Sequence, residues 1–124
     1  MNRLKSLFGL VFLFILIGGP FVKAYGFTLY TDSKVYSEGQ PLLVYGNALP
    51  SEPIIIRLFA PDGTIKQFNQ IAADSNGNFN QILIRWPNAT TNYAYGTYSV
   101  EGIATKEQGL SIKADVKFAP SSSI

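Results

Sequence analysis

Turn-forming residues interrupt this chain at short and regular intervals. They recur at 38–41, 49–53, 61–63, 76–77, 87–91 and 108–109, with short apolar runs between them. From residue 25 onward, no stretch of about ten residues keeps a helical period of apolar positions. Short strands separated by frequent turns are typical of antiparallel β-proteins. The sequence therefore predicts an all-β fold.

The spacing of the turn-forming residues predicts seven strands in a single antiparallel β-sandwich. Their predicted bounds are 27–31 (with a continuation to 36), 42–46, 54–59, 64–71, 79–86, 97–105 and 110–118. The last strand alternates apolar and polar residues without a miss, which predicts one buried and one solvated face. The strand 54–59 carries apolar residues on both faces around Arg57. That pattern predicts a central strand whose outer face is covered or lies near a partner.

The fifth predicted strand changes phase along its length. Ile82, Ile84 and Trp86 fall on one face, and Phe79 falls on the other. A β-bulge adds one residue to a strand and so reverses which face the following side chains occupy. The pattern predicts such a bulge near residues 80 and 81.

Two hairpin turns are marked by glycine. Asn76 and Gly77 stand between two β runs, and Asp62 and Gly63 follow Pro61. Asn-Gly and Asp-Gly are the pairs that most readily adopt positive φ at both central positions of a type I′ turn. Both segments are therefore predicted to be type I′ hairpin turns.

The N-terminal segment has the layout of a secretory signal peptide. Arg3 and Lys5 precede an apolar run at 7–17, which is ended by glycines and a proline. We predict a signal peptide over 1–24, a folded domain over 25–119 and a flexible tail over 120–124. The run is shorter than the about 20 residues that span a bilayer, although counting from residue 4 to 22 leaves an uncleaved anchor as the alternative. The protein is expected to be secreted or displayed on a cell surface, and to contact a membrane only through the N-terminal segment if that segment stays uncleaved.

The residue inventory excludes most familiar active sites. The chain has no Cys and no His, so it lacks a disulfide, a thiolate nucleophile, an imidazole base and the usual transition-metal ligands. Cleavage after residue 24 would remove three of the ten basic residues and leave seven against eight acidic ones, without a basic run for nucleic acid. About 100 residues rarely provide a cleft for a catalytic carboxylate pair. We predict a protein that is not an enzyme, needs no cofactor and binds no nucleic acid.

Asp74, Asn76 and Asn78 stand at alternate positions and could offer oxygens to calcium. A calcium-binding EF-hand loop places its glycine after the third ligand and ends in a glutamate. Here Gly77 lies before Asn78 and no glutamate follows. The turn is therefore the preferred interpretation, and calcium is the weaker one.

The loop after the fifth predicted strand carries the candidate contact residues. Asn88 begins an N-glycosylation sequon in an exported chain. Trp86, Tyr93 and Tyr95 flank it, and such rings could stack on a sugar or anchor a protein partner. For Trp86, the phase that it shares with Ile82 and Ile84 favours a position in the core or capping its edge over ligand contact. Tyr98 is predicted to be structural, with its hydroxyl bonded back to a turn at the corner between sheets.

Four short motifs resemble immunoglobulin-like (Ig-like), macroglobulin-type β-sandwich domains of secreted and cell-surface proteins in archaea and bacteria. The matching residues lie between Phe27 and Phe118 and are Asp32, Tyr36 and Gly39; Phe59, Pro61, Asp62 and Gly63; Asp74, Asn76, Gly77 and Phe79; and Gly96, Tyr98 and Val100. The resemblance implies an Ig-like sandwich at the cell surface. It carries over scaffold positions and no binding residue.

These observations predict a structural, adhesion or protein-interaction module. Its expected partner is another surface or extracellular protein, or a neighbouring copy that adds a strand to an exposed sheet edge. The alternative is a carbohydrate-binding module in which the aromatic residues of the 86–95 loop hold a polysaccharide. An exposed, planar row of rings would favour the alternative, and a buried Trp86 would oppose it.

Overall fold

A computed structural model describes residues 26–121. These residues form eight strands and no helix, which confirms the all-β prediction. The strands are β1 (Thr28–Thr31), β2 (Val35–Tyr36), β3 (Pro41–Asn47), β4 (Pro53–Phe59), β5 (Ile65–Ala72), β6 (Asn78–Arg85), β7 (Gly96–Ala104) and β8 (Leu110–Phe118). Over the same residues, nothing helical is long and apolar enough to cross a bilayer. The predicted signal peptide at 1–24 lies outside the described residues, as do the last three residues of the predicted tail.

The strands form two sheets that share one core. One sheet has three strands in the order β1-β3-β6, and the other has five in the order β2-β8-β7-β4-β5. All neighbours are antiparallel except β2 and β8, which are parallel. The predictions of seven strands and of purely antiparallel pairing are therefore wrong in detail.

The additional strand arises because the first predicted run divides between the sheets. β1 pairs with β3 in the smaller sheet, whereas β2 pairs with β8 in the larger one. Between them, the Asp32 carboxylate accepts hydrogen bonds from the Tyr36 hydroxyl and from the Leu43 backbone N–H. This carboxylate holds the crossing segment against β3. After this crossing, β2 joins the other sheet, where it runs parallel to β8.

The inward-facing side chains of both sheets make up a single apolar cluster. β4 alternates as expected of a strand in the middle of its sheet, and Ile54, Ile56 and Leu58 are completely buried. β4 lies between β5 and β7, so the prediction of a central strand is confirmed. β8 also alternates, although it is fully buried only at Val116 and Phe118.

Arg57 interrupts the apolar pattern of β4 because it pairs across strands. Its register partner in β7 is Glu101, and the guanidinium Nε lies 2.8 Å from Glu101 Oε1. The guanidinium carbon is also 5.1 Å from the centre of the Phe59 ring. Arg57 therefore covers part of the outer face of the five-stranded sheet with its own stem and charge.

The predicted bulge in the fifth predicted strand, now β6, is present, but three residues further along. In the ladder with β3, Leu42 pairs with Ile84 and Leu43 pairs with Ile82, which leaves Leu83 as the extra residue. Phe79 and Leu83 are buried before the phase changes, and Trp86 is buried after it. Ile82, which the sequence grouped with Trp86, faces solvent instead.

Both glycine turns lie where the sequence placed them, but their type differs. Gly77 and Gly63 have φ of 85° and 89°, whereas Asn76 and Asp62 do not have positive φ. Gly77 N–H donates to the Asp74 carbonyl oxygen over 3.0 Å, as in a type I turn followed by one left-handed glycine. Each turn has its one positive φ at the glycine, so the type I′ prediction is wrong. The turn at 61–63 closes the β4–β5 hairpin. The turn at 76–77 joins β5 to β6, which lie in different sheets, so the hairpin prediction is also wrong there.

Candidate functional site

Trp86 does not lie on the surface. Its side chain is 1% exposed, and it packs among the rings of Tyr36, Tyr98 and Phe118 at centroid distances of 6.0, 4.9 and 4.7 Å. The bulge at Leu83 turns Trp86 toward the core. The prediction that Trp86 contacts a ligand or partner is therefore wrong, and the alternative interpretation, core packing, holds. Its indole Nε1 has no hydrogen-bond partner among the described residues.

The two tyrosines of the same loop, Tyr93 and Tyr95, lie apart from Trp86 and from each other. Tyr95 is exposed, its ring lies 5.0 Å from the Phe118 ring centre, and its hydroxyl donates to Glu38 Oε2 over 2.6 Å. Tyr93 is half-buried and faces β5, where Lys66 Nζ lies 5.3 Å from its ring centre. No shared platform of rings forms here.

The contact between Tyr95 and Glu38 is electrostatic as well as steric. Glu38 also accepts a hydrogen bond from the Ala89 backbone N–H, which anchors the 86–95 loop to the turn before β3. The Tyr95 hydrogen bond, followed by that of Ala89, lowers the pKa of Glu38. The same bond raises the pKa of Tyr95. This arrangement orders the loop and leaves the Tyr95 hydroxyl already occupied.

A depression of about 140 Å³ lies between this loop and the turn after β4. Its lining includes Pro61, Asp62, Lys66 and Tyr95. Sites for small molecules usually measure about 300 to 1,000 Å³. The depression is therefore too small to enclose a substrate.

The calcium candidate is arranged as a turn. One oxygen of Asp74, Oδ1, accepts hydrogen bonds from the backbone N–H groups of Asn76 and Asn78, both over 2.9 Å. The Asn78 side-chain oxygen accepts a bond from Asn47. Within residues 26–121, no three His, Cys, Asp or Glu side chains come together as metal ligands. These contacts favour the turn interpretation.

The sequon is accessible. Asn88 is exposed, and the Thr90 hydroxyl oxygen accepts bonds from the backbone N–H groups of Asn92 and Tyr93. Glycosylation of Asn88 stays a prediction.

Tyr98 confirms its predicted structural role. Its hydroxyl donates to the Ala94 carbonyl oxygen over 2.8 Å, four residues upstream, and its ring is completely buried. This bond ties the end of the long loop to the start of β7.

Sequence reasoning missed a buried pair of carboxyl groups. Glu52 is fully buried and bridges two loops, because it accepts bonds from the Leu49 and Lys106 backbone N–H groups over 2.9 and 2.7 Å. Both Glu107 oxygens are shielded from solvent and meet no donor among the described residues. Burial, followed by the adjacent Glu52 carboxyl, raises the pKa of Glu107.

The pair comes together because Glu52 directly precedes β4 and Glu107 follows β7, its antiparallel neighbour. The sequence signal for this pair is a glutamate near the end of each of two strands, which the pairing of β4 with β7 brings together. The two groups lie under loops and not in a cleft. Glu52 contributes a bridge between the two loops.

Exposed apolar and aromatic side chains also lie on the two sheets. On the five-stranded sheet, the edge strand β5 exposes Ile65 and Phe68. On the outer face of the three-stranded sheet, Tyr30 and Tyr45 are register partners with ring centroids 5.6 Å apart. The sequence predicted contact at an exposed sheet edge without identifying the strand, and it did not predict the pair of Tyr30 and Tyr45. Both depend on which strands pair.

No family model matches the chain, and no curated protein matches it. Among solved structures, it is similar to a carbohydrate acetylesterase from Xanthomonas citri, with 22% sequence identity and a TM-score of 0.46 over 68% of this chain. The match spans 16% of that enzyme. A likeness this distant, over so small a share of the larger protein, carries no argument about what this chain does.

Proposed function

We propose that this protein is an exported, Ig-like β-sandwich module that binds another protein at the cell surface and catalyses no reaction. The strand order supports an Ig-like sandwich, with three strands facing five and a short parallel strand at one edge. The Tyr98 hydroxyl bonded to Ala94 supports it further, because a tyrosine in this place is a hallmark of such domains. Export rests on the signal-peptide layout of 1–24.

The exposed edge of β5 is the observation that carries protein binding. β5 has eight residues and is bonded to one neighbour, β4, within the described part of the chain. Phe68 on this strand is 60% exposed. A sheet edge presents unpaired backbone groups that can template a further strand.

Natural edges are usually blunted by charges, prolines or bulges. β5 has an irregular register only at its beginning, near Lys66. From 67 to 72 it contains no charge and no proline. The greater part of this edge is therefore open to pairing.

In strand addition, the backbone bonds supply affinity, and alternate side chains supply specificity. Phe68 and Gln70 point to the outer face of the sheet, since their register partners are Arg57 and Ile55. A partner strand would place its own outward side chains beside them. That partner is an extended segment of another surface protein or of a neighbouring copy.

In the experiment, the protein is produced in an exporting host and crosslinked chemically in the envelope of that host. It is then isolated beside a sample that was not crosslinked. Sedimentation measures self-association, and mass spectrometry locates the crosslinks. We expect crosslinks at 65–72, and we expect Phe68→Lys to abolish them because a charged edge opposes strand pairing.

Ile82→Lys is the matched control. It places the same charge at an apolar residue that is 51% exposed on β6, the edge strand of the other sheet. A monomeric protein with no crosslink at β5 would refute the proposal. So would crosslinks that Phe68→Lys leaves intact.

A further inference from the structure

We propose that the outer face of the three-stranded sheet binds a neutral β-1,4-linked glycan, with Tyr30 and Tyr45 as the stacking residues. This site lies on a different sheet from the β5 edge and takes a different class of ligand, so it goes beyond the protein-binding role. It also differs from the aromatic loop at 86–95, whose tryptophan is buried.

The two rings are open to solvent. Tyr30 is 53% exposed and Tyr45 is 40% exposed, and neither hydroxyl makes a hydrogen bond with the described residues. Their centroids are 5.6 Å apart and their planes are inclined by 37°. The spacing is close to the length of one pyranose ring in an extended β-1,4-linked chain, so consecutive sugars could each meet one ring.

The polar groups beside the rings are amides and a hydroxyl. Asn80 follows Tyr45 in the same cross-strand row, is exposed, and makes no side-chain bond with the described residues. The next row consists of Thr28, Asn47 and Asn78, which are hydrogen-bonded to one another. Amides both donate and accept hydrogen bonds, as sugar hydroxyls do.

The low charge of this face favours a neutral ligand. The outward side chains in register on the three strands are Thr28, Asn47 and Asn78; Tyr30, Tyr45 and Asn80; Leu43 and Ile82; and Pro41 and Arg85. Arg85 is the one charged side chain in these rows. It lies two rows from the tyrosines, and its guanidinium donates a hydrogen bond to the Gly39 carbonyl oxygen over 3.0 Å. Nucleic acids and anionic glycans are held largely by Lys and Arg. In a protein interface without water, the amides of Asn47, Asn78 and Asn80 would each need a hydrogen-bond partner on the other protein. A hydroxyl-rich, uncharged chain satisfies both the amides and the rings.

Asp32 lies at the rim of this face, and its carboxylate is already hydrogen-bonded. Its Oδ1 is held by the Tyr36 hydroxyl and the Leu43 backbone N–H. This carboxylate oxygen is therefore engaged in the β1–β2 crossing.

The test measures binding of the isolated full protein to insoluble cellulose and chitin, and to cellohexaose and chitohexaose by calorimetry. We expect binding to at least one of these neutral glycans and none to alginate, which is anionic. The double variant Tyr30→Ala/Tyr45→Ala should lose affinity by about tenfold or more, because each ring stacks on one sugar. Tyr30→Phe/Tyr45→Phe keeps both rings and should retain most of the affinity.

Tyr95→Ala is the matched control, since it removes an exposed tyrosine ring away from this sheet. Thermal unfolding of each variant checks that the fold is kept, which the exposure of the tyrosines leads us to expect. Failure of the native protein to bind any of the four ligands would overturn the proposal. So would binding that survives loss of both rings, equal loss in Tyr95→Ala, or equal binding to alginate. Crosslinking at β5 is unaffected by these outcomes, so this proposal and the protein-binding role can fail separately.

Discussion

The indole of Trp86 is stacked on the ring of Phe118, with centroids 4.7 Å apart and planes inclined by 16°. Trp86 follows β6 of the three-stranded sheet, and Phe118 ends β8 of the five-stranded sheet. This contact therefore joins the two sheets directly. Tyr36 and Tyr98 pack against the same indole, so four rings close one end of the core.

Trp86→Ala is expected to destabilise the protein severely. Removing a fully buried indole leaves a cavity between the sheets, and such truncations cost about 3–5 kcal/mol. Urea unfolding measures the loss. Trp86→Phe should cost clearly less, because a ring remains and the indole N–H has no partner to lose.

The fluorescence of the native protein offers an independent check, since Trp86 is its single tryptophan. We expect emission that is blue-shifted relative to the urea-unfolded chain and poorly quenched by acrylamide. Neither property should change when glycans are added, because Trp86 lies away from Tyr30 and Tyr45. Efficient quenching in the folded protein would contradict the buried position.

Tyr98→Phe should lower the free energy of unfolding by about 1–2 kcal/mol, because it leaves the Ala94 carbonyl without its hydroxyl donor. Tyr95→Phe is the control. It removes an equivalent hydroxyl from an exposed bond to Glu38 and should cost clearly less than Tyr98→Phe, because water replaces the lost partner. Equal effects in the two variants would contradict the structural role of Tyr98.

Glu107 should make stability decrease as the pH rises. Its pKa is raised in the folded protein by burial and by Glu52, so the neutral form contributes fully below the ordinary value of 4.5. That contribution is lost as the pH passes upward through the raised pKa. Glu107→Gln stays neutral at every pH. It should therefore match the native protein near pH 4 and exceed it in stability at pH 7, as measured by urea unfolding across this range.

Glu38→Gln is the control of opposite sign. The hydrogen bond from Tyr95 lowers the pKa of Glu38, so its ionised form contributes above the ordinary carboxyl pKa and the contribution is lost in acid. This variant should be less stable than the native protein at pH 7 and equal to it in acid. A gain at pH 7 in both variants would point to a general charge effect instead.

Gly77→Ala should be more damaging than Gly63→Ala, although both glycines have positive φ. At Gly63 a Cβ would meet nothing within 4 Å, so only the backbone penalty of about 1–2 kcal/mol applies. At Gly77 a Cβ would lie 2.3 Å from the Ala48 carbonyl oxygen. We expect an additional loss of about 1 kcal/mol or more, measured by thermal unfolding.

The candidate surfaces show where reasoning from sequence reached its limit. The aromatic loop was selected because Trp86, Tyr93 and Tyr95 are close along the chain. In the fold their rings take three different directions, since the bulge at Leu83 reverses the phase just before Trp86. Tyr30 and Tyr45 are fifteen positions apart and meet only because β1 pairs with β3 in one particular register. Side-chain neighbours across strands follow from pairing, which a local pattern does not specify.

The sequence by itself determined the β class, the positions of the turns, the central place of β4 and the alternation of β8. Each of these depends on residues that are neighbours along the chain, through turn chemistry and the two-residue period of a strand. Tertiary structure alone decided how the segment 27–36 divides between the sheets, and it brought Glu52 to Glu107 and Tyr30 to Tyr45. Those relations arise from long-range pairing, where burying the shared core selects one register among several that local propensity allows.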